Sequence, residues 1–556
     1  VRCAQRIDDC RRSIRRPELI CRGAERRLRD HGDCGYLGAM EPIFSRRFFL
    51  YGALSALAGG AMAEAPAVSL RPVARPSRAA PRRAPSAAAL IEKARLSGQV
   101  GFAVAEAETG RVLEAHDEAT GLPPASVLKA LTALYALDIL GPDYRFTTRL
   151  MATGVLDDGV LRGDLILAGG GDPTLDTRAL ARLAEGMKAA GMTALDGRFL
   201  VWGGAVPFKR AIDENQPEHV GYNPSLSGLS LNFNRVHFEW KRAGGKYDVS
   251  MDARAGRYRP DVTVAQMRIA DRRGPVYGYE DEGGRDEWSV ARGALGSGGA
   301  RWLPVRKPEL YAAEVFATLA RSNGIDIGKA EIIDDLPEGG GVFVTHHSAP
   351  LDAVLRDMLE YSTNITAELV GMTATAEREG RARPMEASAQ AMGMWASEAL
   401  GMTGADLRDH SGLSDRSRMT ASGTARGLAR AHDAGFLRPL LREHRMRDAT
   451  GRLDPDHPVK VLAKTGTLYF VSGLAGYFRT PKGADLTFAI FTASDSLRDR
   501  IDPSRDERPP GARAWNRRAK DLQQALIERW SVVHGEAHAG LEPVPGADLQ
   551  DEVLSR

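Results

Sequence analysis

The sequence predicts an α+β protein. A helix- and strand-bearing domain formed by 88–150 and 345–534 is interrupted by a β-rich insertion of one or two domains, 151–344. Three observations predict this. Long segments with apolar residues at helical spacing lie on both sides of the gap, as at Leu128, Leu131, Tyr135 and Ile139. Strand-like alternation occurs near both ends, at 100–105 and again at 461–468, 473–479 and 486–493. Between about 150 and 345 the chain turns to glycine, short strand patterns and turns, with no repeat at solenoid periods.

Taken in order, 88–97 reads as a short helix. The runs 100–105 and 112–114 flank Glu108-Thr109-Gly110 as a hairpin. Pro123-Pro124 halts the chain before a helix over 126–140, which Gly141-Pro142 ends. In the insertion, a strand over 163–168 leads into Gly169-Gly170-Gly171-Asp172-Pro173. A phosphate loop would continue with Gly-Lys-Ser/Thr, and none follows, so this is a plain turn. A helix over 175–190 and a strand over 197–202 come next. Helices over 351–361, 363–379 and 387–401, the three late strands and a closing helix over 510–533 complete the pattern. The polar, Pro- and Gly-bearing stretch 535–556 reads as a mobile tail.

Composition excludes several classes. The 556 residues carry 75 Lys+Arg against 72 Asp+Glu, and 43% are hydrophobic, which gives ample core material. A disulfide mini-scaffold, a collagen-like fibre and a wholly disordered chain are ruled out. Residues 1–39 hold ten arginines, six acidic residues and all four cysteines, Cys3, Cys10, Cys21 and Cys34. Met40 reads as the true start, with 1–39 an upstream segment outside the true protein. Ser45-Arg46-Arg47-Phe48-Phe49-Leu50, the apolar stretch 50–60 and Ala61-Met62-Ala63 resemble a twin-arginine signal peptide over 40–63, which implies export to the periplasm. The Pro/Ala/Arg stretch 64–87 reads as a linker. Beyond the leader no apolar run approaches the roughly 18 residues of a membrane span, so no stable transmembrane span is expected. The absence of a clustered basic surface argues against a nucleic-acid partner.

Lysine is scarce, twelve against sixty-three arginines, so lysine-bearing motifs carry weight. Ser126-Val127-Leu128-Lys129 is the only Ser-x-x-Lys. It places Lys129 one helical turn from Ser126, on the same face. A serine hydroxyl needs a base, and a lysine becomes one only when burial or a second cation lowers its pKa. Alone, the tetrapeptide is equally a helix cap with a surface lysine. Ser362-Thr363-Asn364 and Lys464-Thr465-Gly466 follow, the first between helices and the second in a strand-like run. Each also has a bland alternative, a turn and an edge strand with a solvated lysine. Their order is that of the penicillin-interacting serine enzymes.

The chain resembles the D-alanyl-D-alanine carboxypeptidase/endopeptidase family of class C low-molecular-mass penicillin-binding proteins, peptidase family S13, of the penicillin-binding protein 4 type. The 236-residue spacing of Ser126 and Ser362 leaves room for that family's inserted domains. Similar too are the stretch from Gly163 to Leu175, Leu229-Ser230-Leu231-Asn232-Phe233-Asn234, Asp409-His410-Ser411-Gly412-Leu413-Ser414, and the context of Lys464 through Tyr477. The resemblance covers roughly 90–530. It implies a serine β-lactamase/transpeptidase-like domain, an antiparallel sheet flanked by helices. It further implies an acyl-enzyme mechanism on peptidoglycan stem peptides, with β-lactams as covalent inhibitors and no cofactor.

In that scheme Ser126 is the nucleophile and Lys129, held neutral by crowding with Lys464, is its base. Ser362 and Lys464 relay a proton to the leaving amine. Asn364 holds the substrate amide and helps fix Lys129. The backbone N–H groups of Ser126 and Thr467 form the oxyanion hole, Gly466 lies beside them, and Thr465 and Thr467 bind a terminal carboxylate. Two positions depart from the family. Trp202 stands where members often carry an aspartate for the peptide's free amine, and His410 stands where glycine is common. No metal is expected, since His346-His347 lacks ligand spacing. The rival readings are a serine β-lactamase and a catalytically silent peptidoglycan-binding scaffold. The long insertion argues against the first, and intact Ser126, Lys129 and Lys464 argue against the second.

Overall fold

The computed structural model describes residues 84–448, 450–502 and 509–536. The upstream segment 1–39, the signal-like stretch 40–63, all but the end of the linker 64–87, and the tail beyond 536 lie outside the described residues. The first tail residues are held in place, because the Gly535 carbonyl accepts from Thr480 Oγ1 at 2.7 Å.

A five-stranded antiparallel sheet joins the two ends of the described chain. Its order is Lys460–Leu468, Val471–Arg479, Asp485–Ala493, Gln99–Glu106, Val112–His116. Gln99 pairs with Ala493 and the register runs to Glu106 opposite Leu486. The early hairpin turns at Gly110, whose φ of 69° suits glycine. Side chains alternate between two cores. Phe102, Val104, Leu474, Phe478, Phe488 and Ile490 face Leu522, Leu526, Ile527 and Trp530 of the closing helix Ala512–Val533. Ala103, Ala475, Tyr477, Ala489 and Phe491 face the other layer of helices. Both faces are covered, so Val471–Arg479 is buried at every residue but the last.

The helical layer centres on Leu128–Leu140, whose first ten residues are all buried. Apart from Lys129 and Thr132 these ten are apolar or aromatic, and a helix buried all round belongs in the middle of a core. Leu351–Tyr361, Asn364–Glu379, Met385–Leu400 and Ala421–Arg430 pack around it. The periodicity did not reveal Ala421–Arg430, a helix capped by Thr420 Oγ1 on Gly423 N and rich in small residues.

The insertion begins with the strand Thr147–Ala152 and returns through Gly341–His347, a few residues outside the expected 151–344. These two strands pair with each other, Thr147 opposite His347, so the insertion closes at its own base. They belong to a mixed five-stranded sheet ordered Ala330–Ile332, Phe199–Trp202, Leu165–Gly169, Thr147–Ala152, Gly341–His347. Three three-stranded sheets accompany it among the described residues. The insertion is less purely β than the sequence suggests. Besides Thr177–Ala189, where a helix over 175–190 was expected, it carries the unexpected helix Pro308–Ser322, and Leu180, Leu183, Tyr311 and Phe316 share its core with Phe199 and Val201. A smaller apolar cluster joins the insertion to the helical layer, with Val206, Ile212 and Leu226 against Ile365, Leu369 and Leu413. Among the described residues no helix is long and apolar enough to cross a membrane.

Candidate active site

Ser126 sits in a single 3-10 turn, Ala125–Val127, before the α-helix starts at Leu128. This is tighter than the simple helix start expected from the sequence. Ala125 takes φ 47°, a left-handed conformation that a side-chain-bearing residue rarely holds without support. The support is close packing. A Cβ on Gly412 would lie 1.8 Å from the Ala125 carbonyl, and one on Gly466 would lie 2.6 Å from that of Pro124 and 2.9 Å from Ser126 N. Only glycine lets both segments approach the turn this closely. In the stretch from Leu122 to Ala130, Ser126 alone is more than marginally exposed.

Lys129 is wholly buried. Its Nζ lies 3.0 Å from Ser126 Oγ, 2.7 Å from Asn364 Oδ1 and 2.7 Å from the Ser411 carbonyl. As an ammonium it donates to all three. As a neutral amine it keeps a lone pair that can receive the Ser126 hydroxyl proton. Its pKa lies well below the usual lysine value. Burial is the main cause and the charge of Lys464 the second, while Asp409 and Glu368 oppose both. The crowding read from the sequence is therefore secondary to desolvation.

Ser362 ends Leu351–Tyr361 in the left-handed region, at φ 57°. This turn sets its Oγ 2.9 Å from Lys464 Nζ, which also donates to the Thr465 carbonyl at 3.1 Å. Lys464 is 3% exposed, which removes the solvated-lysine alternative. Its pKa is brought down to about 8, by burial first and Arg442 second. The motif lies on Lys460–Leu468, an edge strand of the sheet. Alternation puts Lys464 and Gly466 on the buried side and leaves Thr465 and Thr467 exposed along an open edge.

All eight residues singled out by sequence thus lie on three adjoining segments. Asn364 departs from its expected use. Its Oδ1 accepts from Lys129, but its Nδ2 donates to the carbonyl of Tyr222, an insertion residue, at 2.9 Å. The amide that was to grip a substrate is occupied here by the inserted domain. Arg306, 2% exposed, anchors that loop by donating to the carbonyls of Arg210, Glu218 and Asn223.

Sequence reasoning missed the layer beneath Lys129. Glu368 Oε2 and Oε1 accept the backbone N–H groups of His410 and Ser411, both at 2.9 Å. Asp409 Oδ2 accepts from Ser414 N and Ser411 Oγ, and Oδ1 accepts from Ser417 Oγ. Both carboxylates are 0% exposed, and burial pushes both pKa values up. The available signal was that Glu368 follows Asn364 by about one helical turn. His410 is buried, with Nε2 2.9 Å from Ser388 Oγ and its ring over Gly371. Desolvation lowers its pKa to about 3, so it is neutral. Trp202 Nε1 donates to the Asp334 carbonyl at 3.0 Å, and the indole packs on Met151, Ile166 and Leu200. Among the described residues no group of three His, Cys, Asp or Glu side chains could hold a metal.

Comparison with known proteins gives this arrangement a context. A model described as "D-Ala-D-Ala carboxypeptidase 3 (S13) family" matches residues 84–508. A D-alanyl-D-alanine carboxypeptidase of Actinomadura sp. is 28% identical over 454 residues, covering 72% of this chain and 79% of that one. The crystal structure of penicillin binding protein 4 (dacB) from Haemophilus influenzae superposes with a TM-score of 0.64 at 19% identity, over 80% of this chain and 99% of that one. The same protein complexed with a novel beta-lactam gives 0.63 over the same shares, also at 19% identity. At this identity the two superpositions establish the fold, an α+β penicillin-binding-protein fold.

Proposed function

The chain belongs to the D-Ala-D-Ala carboxypeptidase 3 (S13) family, and from that premise we propose that it is a serine-type D-Ala-D-Ala carboxypeptidase, DD-endopeptidase or both. Its substrate is the stem peptide of peptidoglycan. The observation that carries this reading is the pair of serine contacts to buried lysines, Ser126–Lys129 at 3.0 Å and Ser362–Lys464 at 2.9 Å.

Neutral Lys129 takes the Ser126 proton as Oγ attacks the D-alanine carbonyl carbon. The developing oxyanion is met by backbone N–H groups of Ser126 and Thr467, beside Gly466. Collapse breaks the C–N bond. The proton passes through Ser362 and Lys464 to the leaving amine, which departs as D-alanine or as the amino end of a cross-linked peptide. Lys129 then activates water to cleave the ester. Thr465 and Thr467, exposed on the open strand edge, receive the terminal carboxylate. Asn364 fixes Lys129 through Oδ1 and becomes a substrate ligand only when its Nδ2 leaves the Tyr222 carbonyl. A β-lactam enters the same path and stops at the ester, as a covalent inhibitor. The catalytic domain is discontinuous, two segments flanking an insertion that starts at Thr147 and ends at His347. Residues 40–63 direct export to the periplasm by the twin-arginine route. Trp202 in place of a carboxylate weakens any preference for a free side-chain amine.

The test is D-alanine release from a pentapeptide, and peptide release from cross-linked dimers, by the parent chain and by Ser126→Ala. Release by the parent alone supports the reading, and the two substrates divide carboxypeptidase from endopeptidase. No release from either substrate overturns it, and rapid turnover of penicillin to penicilloate makes the protein a β-lactamase instead.

A further inference from the structure

Two wholly buried carboxylates lie under the amine that acts as base, and the mechanism above uses neither. Burying a carboxylate is costly unless it has partners. Glu368 has one on each oxygen. Each oxygen accepts one backbone N–H, from His410 and Ser411, at 2.9 Å. Burial and the Asp409 charge push its pKa up to about 8, and these two N–H donors with the charge of Lys129 act against them, favouring the carboxylate. The same Ser411 whose N–H is held presents its carbonyl to Lys129 Nζ at 2.7 Å.

We propose that Glu368 is a positioning residue for Lys129. Its carboxyl group clamps consecutive amides of the 409–414 loop, so that the Ser411 carbonyl orients the lysine. With Asp409 it also supplies the negative charge that keeps the amine basic enough to take a serine proton. The inference rests on Lys129 being the base. The physical need is specific. A buried amine beside a second ammonium loses proton affinity twice over, and a base that is too weak is as useless as one that is always protonated. The ionisable groups facing Glu368 and Lys129 are Asp409 and His410 on the loop and Lys464 on the edge strand. His410 is neutral between Ser388 and Gly371, which leaves Glu368 and Asp409 to oppose Lys464.

The experiment is the pH profile of acylation by a fluorescent penicillin, on the full chain, for the parent, Glu368→Gln, Glu368→Asp and Lys129→Ala. Glu368→Gln removes the charge. Its acid limb is expected to move about one pH unit lower, and its plateau to fall about tenfold as the base weakens. Glu368→Asp keeps the charge but shortens the clamp, so its limb stays and its plateau falls. A Gln variant that is slower at every pH with its limb unmoved makes Glu368 a structural staple and overturns the proposal. If the Gln variant lacks a cooperative melt, the Asp variant decides: an unmoved limb with a lowered plateau supports the proposal, and any other pattern contradicts it. Near-normal acylation by Lys129→Ala removes the base reading itself. An unmoved Gln limb beside an inert Lys129→Ala removes only the role given to Glu368.

Discussion

Replacing Gly466 by alanine isolates how closely the edge strand must sit on the nucleophile turn. Gly466 is outside the left-handed region, so an alanine backbone fits and the perturbation is one methyl group. That methyl would lie 2.6 Å from the Pro124 carbonyl and 2.9 Å from both Ala125 Cβ and Ser126 N, whereas ordinary contact begins at 3.4 Å. Two of these atoms are backbone and cannot rotate aside. The strand must therefore retreat by about 0.8 Å, carrying Lys464 from Ser362 and Thr467 from the oxyanion position. Overpacking of this size costs about 1–3 kcal/mol of stability, which a domain of this size survives. Misplacement of reacting groups by about 1 Å costs roughly a hundredfold in rate. The assay is the second-order rate constant for acylation by fluorescent penicillin, with a thermal melt as control. We expect a drop of about a hundredfold with a melt lowered by only a few degrees. Acylation within threefold of the parent would falsify the claim that strand and turn are held at contact distance.

Removing exposed Arg442 by Arg442→Ala takes away a cation that depresses the Lys464 pKa, so an alkaline limb near 8 should move up by roughly half a pH unit; a limb that stays or falls contradicts the assignment. Lys464 also makes stability depend on pH. Between about 8 and its ordinary 10.5 the unfolded chain binds a proton that the folded chain does not, so stability from this group rises with pH across that window and the rise is absent in Lys464→Met. Arg306→Met orphans the buried Asn223 carbonyl, at about 1–3 kcal/mol, and removes the part-buried bonds to the Arg210 and Glu218 carbonyls. Hydrogen exchange across 210–223 should then quicken at least about tenfold; unchanged exchange would show that the loop holds itself.

The parts legible in the sequence were those that chemistry or periodicity fixes locally. Ser126 and Lys129 share one helical turn, and Lys464-Thr465-Gly466 sits in a nine-residue strand whose alternation is plain. Leu351–Tyr361 was read to the residue because its apolar spacing is regular and Ser362 breaks it. The helix Pro308–Ser322 was lost inside a glycine-rich region, where neighbouring turns outweighed its own pattern. Non-local contacts were not legible. The Tyr222 carbonyl on Asn364 and the Glu368 clamp on the 409–414 loop use backbone atoms, which every residue carries, so no side-chain pattern announces them. The left-handed turns at Ala125 and Ser362 were hidden for a related reason: tertiary packing, not glycine, holds them.

The central claim is that the Ser126 hydroxyl, deprotonated by an amine hidden from water, forms the acyl bond. Benzylpenicillin treatment of the full chain followed by protease digestion and mass spectrometry tests it most directly. The account predicts a penicilloyl adduct on the peptide bearing Ser126, lost in Ser126→Ala. An adduct on Ser362 or on any other residue, or an adduct that persists in the alanine variant, contradicts it.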